Sequence, residues 1–219
     1  MKTRLLVLSV LGLTAFNIIA APLHIIHVKA PNINCLFNTN CTVTVNDTVS
    51  EFYTNIPSST CTNVFPGGGG ILQSRTFAGQ AGTPEAGLYG YVYRLVLNKL
   101  VCHESITIKT MTMDFSPYSS FDYEDHPNKQ IWVVTSGGVG SAAPSSAKIS
   151  GTKITFKFNP PLVFTSGGGT ETSSYFFGLV SATPPPANAN GWATLTGNIK
   201  TDAGVTATFG YVMAQVRTP

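Results

Sequence analysis

Apolar and polar side chains alternate along short segments of this chain, and glycine or proline falls between the segments. Period-two alternation puts successive side chains on opposite faces of an extended strand. In CTVTVNDTVSEFY (41–53), Val43 and Val45 share one face, with threonines opposite. In ESITIKTMTMDFS (104–116), Ile106 and Ile108 alternate with Thr107 and Lys109. In AKISGTKITFKFN (147–159), Ile154, Phe156 and Phe158 oppose Lys153, Thr155 and Lys157. Segments 87–100, 129–137, 173–183, 192–201 and 205–216 complete the set, and the 129–137 run is strongly apolar. Helical spacing is not sustained anywhere. PGGGG (66–70), SGG (136–138), SGGG (166–169) and PPP (184–186) supply turns. Short strands with regular turns predict an all-β fold, an antiparallel β-sandwich of jelly-roll or immunoglobulin-like type. A closed barrel fits less well, because several strands have one polar face.

The chain opens on MKTRLLVLSVLGLTAFNIIA. Lys2 and Arg4 precede an apolar run from Leu5 to Phe16, and small residues follow at Ala20 and Ala21. That pattern predicts a signal peptide over 1–20, cut after Ala20. The run is shorter than the ~20 apolar residues a spanning helix needs, and no second run of that length follows. The mature chain is therefore expected to have no membrane span and to be secreted, extracellular or at the cell surface. What remains suits a single sandwich domain over 32–219, preceded by an extended strand at 21–31. Charged residues make up 11% of the chain, less than half the usual ~25%. Lys and Arg number 13 against 10 Asp and Glu, and loss of Lys2 and Arg4 brings the two near balance. With no basic stripe there is no electrostatic basis for nucleic-acid binding.

The cysteines are Cys35, Cys41, Cys61 and Cys102. An even count in a secreted chain predicts two disulfides, with three pairings open. Cys35 and Cys41 bracket LFNTN and could close a small loop, but either could equally join Cys61 or Cys102. Zinc is disfavoured, since no Cys-x-x-Cys pair is present. Residues 32–70 read as a disulfide-tied segment packed on the sandwich. The preceding stretch, APLHIIHVKAP (21–31), is an apolar strand between prolines. Its ordinary reading is a first strand of the same domain. Its functional reading is a donor strand, in which Leu23, Ile25, Ile26 and Val28 fill pockets on a neighbouring copy and build a homopolymer.

Site signals are sparse. Asp122, Glu124 and Asp125 form the densest acidic cluster. It reads as a solvated hairpin loop, with a structural calcium as the alternative; no other cofactor is expected. No Gly-x-Ser-x-Gly elbow, recognisable carboxylate pair or phosphate loop is present, so no enzyme is expected. His24, His27, His103 and His126 form no metal pattern. Tyr89, Tyr91 and Tyr93 alternate on one strand face beside Arg94. Such a row either packs the core or offers a platform to sugar rings. Trp132 and Trp192 are expected to be buried. Asn40-Cys41-Thr42 and Asn46-Asp47-Thr48 match the glycosylation acceptor pattern. The expected function is a secreted structural or interaction protein, a sandwich subunit of a fibre, matrix or surface layer that self-assembles through its N-terminal strand. A carbohydrate-binding module is the alternative.

Overall fold

The computed structural model describes residues 20–53, 69–99, 105–165, 172–200, 204 and 206–219. In chain order the elements are β1 (Ala21–Leu23), β2 (Ile25–Lys29), α1 (Ala30–Cys35), β3 (Asn46–Tyr53), β4 (Gly69–Ala78) and β5 (Tyr89–Lys99). Then come β6 (Ser105–Asp114), β7 (Phe121–Tyr123), β8 (His126–Lys129), β9 (Ile131–Ser136) and β10 (Ser146–Ser150). The last are β11 (Lys153–Thr165), β12 (Thr172–Ser173), β13 (Phe177–Ser181), β14 (Gly191–Lys200) and β15 (Thr206–Val216). One sheet runs β1-β10-β11-β6-β14-β15; the other runs β2-β9-β13-β5-β4-β3, with β12 also on β5. All pairs are antiparallel except β2 with β9. The molecule is a β-sandwich, as the alternation predicts.

The first sheet follows the pattern closely. Ile106, Ile108, Met111, Ile154, Phe156, Leu195 and Ile199 point inward and are buried. Outward, threonines meet across strands, with hydroxyl contacts of 2.6 Å between Thr110 and Thr196 and 2.9 Å between Thr112 and Thr155. Several boundaries differ from the sequence reading: the 41–53 segment is strand only from Asn46 to Tyr53, and 173–183 divides between β12 and β13. The 147–159 stretch is two strands, because Gly151 takes a φ of 60° and turns the chain back from β10 into β11. Residues 69–78, whose glycines read as a turn, form the ten-residue strand β4.

The central strands β9 and β13 of the second sheet are apolar on both faces. Residues Ile131 to Val134 are buried in succession, as is every residue of β13. A strand covered on both sides needs no alternation, and so IWVV reads as a continuous apolar run. The inner face carries Tyr91, Tyr93, Leu95, Val133, Phe177 and Leu179 into the core between the sheets. The outer face holds a second cluster that includes Ile26, Phe37, Phe77, Val92, Trp132 and Val180. Glycines make room for its rings: a Cβ at Gly178 would strike the indole of Trp132, and one at Gly90 would strike the ring of Phe77.

The segment 21–29 closes one side of the sandwich within its own chain. β1 pairs with β10 of the first sheet, and β2 pairs in parallel with β9 of the second. Between them His24 crosses from one sheet to the other, its N–H donating to Gln130 Oε1 at 2.9 Å and its carbonyl accepting from Ile131 N at 3.1 Å. Leu23 enters the main core and Ile25 packs against it, while Ile26 and Val28 enter the outer cluster. The adjacent isoleucines thus face two separate apolar environments.

Candidate functional site

Part of the second sheet's outer face is roofed. The helix α1 and the loop after it lie on the sheet, and the Cys35–Cys41 disulfide closes that loop. Phe37, held inside the loop, is fully buried; it meets Phe77 edge-on with centroids 4.8 Å apart and Trp132 at 5.8 Å. Phe121, from β7, meets Trp132 at 5.1 Å. Such aromatic contacts add about 0.5–1.5 kcal/mol each beyond their buried area. The backbone also ties the roof down: Gln80 N donates to Phe37 O at 2.8 Å and Glu85 N to Leu36 O at 3.0 Å.

Beside this roof the same sheet face stays open as a groove of about 510 Å³. Ile33 and Asn34 of α1, Val43 and Val45, and Gly137, Gly138 and Val139 surround it. Phe176, Arg75, Arg94 and Gln73 lie on its floor, next to Phe77 and Trp132. The guanidinium carbons of Arg75 and Arg94 sit 4.5 and 5.7 Å from the centroid of the Phe176 ring, within cation–π range. Asp47 Oδ2 accepts from Arg75 Nε at 2.9 Å and from Gln73 Nε2 at 2.7 Å. Arg94 donates to Ser173 Oγ at 3.1 Å. On the rim Val45 is 36% exposed and Val139 50%. Among the described residues the lining includes two guanidinium groups and no carboxylate, histidine, cysteine, hydroxyl or lysine. It offers apolar contact, amide hydrogen bonds and positive charge.

The residues named from sequence fall elsewhere. Tyr91 and Tyr93 are fully buried between the sheets, where their hydroxyls donate to Thr183 O at 3.0 Å and Arg217 O at 2.7 Å; Tyr89 packs against the same core. The tyrosine row is core and offers no platform to a sugar ring, because its strand turns that face toward the other sheet. Burial raises the Tyr93 phenol well above its ordinary value, and the neighbouring Tyr91 adds to this.

Asp122, Glu124 and Asp125 are exposed on the β7–β8 hairpin. Their carboxylates take separate partners: Asp122 Oδ1 accepts from the backbone N–H of Asn128 at 2.7 Å, and Glu124 Oε1 from Asn32 Nδ2 at 3.1 Å. Among the described residues no three His, Cys, Asp or Glu side chains come together to hold a metal ion. The hairpin reading fits this geometry, with Glu124 in the left-handed region at a φ of 48°.

Cys35 pairs with Cys41, and Cys61 and Cys102 lie outside the described residues, as does His103. His27 lines a second hollow of about 440 Å³ with Ile25, Ala143 and Asn159. Trp132 is buried, but Trp192 is 56% exposed on the outer face of the first sheet, contrary to expectation. It follows Gly191 at a register shift in β14, which alternation alone does not reveal. Asn40 and Asn46 are both exposed. No helix among the described residues is long and apolar enough to cross a membrane.

The groove was not legible as a site in the sequence. Arg75, Gln73 and Phe77 lie on β4, the strand hidden behind its glycines. The one available signal was Arg75 and Arg94 within otherwise apolar alternation.

The chain folds as a disulfide-bonded β-sandwich with an arginine-bearing groove on one outer face. Comparison with protein-family models, with curated proteins and with solved structures found no match.

Proposed function

We propose that the protein is a secreted, non-catalytic interaction module that engages a partner through the groove on the outer face of its second sheet. The observation that carries this reading is the lining itself: apolar walls and two arginines over Phe176, with no nucleophile or general base among the described lining residues. Ligand sites are commonly concave and largely apolar with a few placed polar groups. The leader-like first twenty residues and the Cys35–Cys41 bond agree with an oxidising, extracellular setting. Anilinonaphthalene sulfonate, an apolar anion, tests the groove on the folded protein. Its fluorescence should rise with the native wild type and fall away in Val45→Asp and Val139→Asp, whose positions are exposed and should leave the melting temperature unchanged. Absence of native-state binding, or binding indifferent to both substitutions, rejects the reading.

Assembly into a homopolymer is the second reading. It is favoured by one feature of the N-terminal segment: a single stretch, 21–29, supplies an edge strand to both sheets. Exchange of that segment between copies would preserve every contact it makes. Sedimentation of the mature chain over a wide concentration range decides this; a monomer throughout removes the assembly.

A further inference from the structure

The groove lining includes part of a stretch of chain, residues 42–45, that belongs to no strand. Val43 and Val45 line the groove and Thr42 and Thr44 do not, the spacing that an extended backbone gives. Among the described residues none of its N–H or C=O groups has a backbone partner. An extended run with unpaired main chain is a template for one more strand. Close by, Arg75 engages Asp47 through Nε alone. Among the described residues its two terminal nitrogens have no acceptor, and the lining supplies no carboxylate. A guanidinium with two parallel N–H groups matches a carboxylate.

Resting on the groove as the binding site, we propose that its occupant is an extended peptide carrying one carboxylate between apolar side chains. The peptide main chain pairs with residues 42–45. Its carboxylate accepts from the terminal nitrogens of Arg75 beside Phe176, and its apolar neighbours cover Val45 and Val139. A fatty acid would satisfy the arginine and the valines but leave the main chain of 42–45 without a partner.

The test is selection from a phage-displayed library of random heptapeptides on the immobilised mature chain. Enriched sequences should carry one Asp or Glu flanked by Val, Ile, Leu or Phe. A synthetic peptide from that set should bind about tenfold or more weakly once its acid is replaced by the amide, since a hydrogen bond to a charged group is worth about 1.5–3 kcal/mol. Selection on Arg75→Gln should lose the acidic preference. Thr44→Pro, which removes a main-chain donor at an exposed position, should weaken the peptide several-fold while leaving binding of anilinonaphthalene sulfonate intact. No enrichment, enrichment without an acidic residue, or indifference to both Arg75→Gln and Thr44→Pro overturns the proposal. If the dye still binds the groove in that event, only the peptide inference falls; if the dye fails as well, the groove reading falls with it.

Discussion

Glu85 is only 4% exposed, an unusual place for a carboxyl group. Burial pushes its pKa up to about 7; the backbone N–H of Asp122, bonded to it, pulls the other way, and the Asp122 charge adds to the rise. The folded chain therefore holds this proton more tightly than the unfolded chain does. Stability from this residue is fully present below the ordinary value near 4.5 and is lost as pH rises through about 7. Melting temperature should fall between pH 5 and pH 8.5, and Glu85→Gln should flatten that slope; an unchanged slope would show that other groups set it. Gly178 makes a second prediction at this scale. A methyl group there meets the Trp132 ring, and overpacking of this kind costs about 1–3 kcal/mol. Gly178→Ala should lower the denaturation midpoint accordingly, and a midpoint equal to wild type would mean that the indole can move aside. Neither effect is readable from the residue itself. Glu85 is an ordinary acid until the roof is placed over it, and Gly178 an ordinary strand glycine until the indole of Trp132 on β9 lies against it.

The N-terminal segment and the disulfide loop are the elements on which the outer face depends. Leu23, Ile26 and Val28 are each buried, at about 1.5–3 kcal/mol apiece. Deleting residues 21–29 should therefore cost several kcal/mol and expose the edges of β10 and β9, giving an unfolded or aggregated product by circular dichroism and light scattering. A folded monomer of wild-type stability would show that the two edges tolerate being bare. The Cys35–Cys41 loop is short, so its closure is worth about 2 kcal/mol in the chain-entropy account. Replacing both cysteines by alanine should lower stability by about that much and weaken groove binding, because α1 and Val43 flank the loop. Loss of stability with groove affinity unchanged would separate the roof from the site. Alternation made most strands legible from sequence. It could not reveal that 21–29 divides at His24 between two sheets, because both halves are simply apolar. It also concealed β4, whose Gly69 and Gly70 look like a turn, although a Cβ at Gly70 would strike Phe52 and the backbone of β5.

At the scale of the whole molecule, the two sheets differ in what they show to solvent. The first presents threonines and lysines, with Val163, Trp192 and Val212 among its exposed apolar groups. The second is half roofed, half groove. Because the hairpin carboxylates of Asp122, Glu124 and Asp125 do not converge, excess chelator should leave the melting temperature unchanged; a clear drop would point to a cation held in some other arrangement. The class of fold followed from local pattern alone, because inward and outward positions alternate along each strand and their spacing is written in the chain. Which covering falls on each sheet did not follow, because it depends on contacts between residues far apart in the chain. Phe37 lies on Phe77, Glu85 binds the backbone of Asp122, and Arg75 and Arg94 meet over Phe176. The tyrosine row marks the boundary between the two kinds of information. Its alternation was visible in the sequence, but only the packing of one sheet on the other decided that the rings face inward.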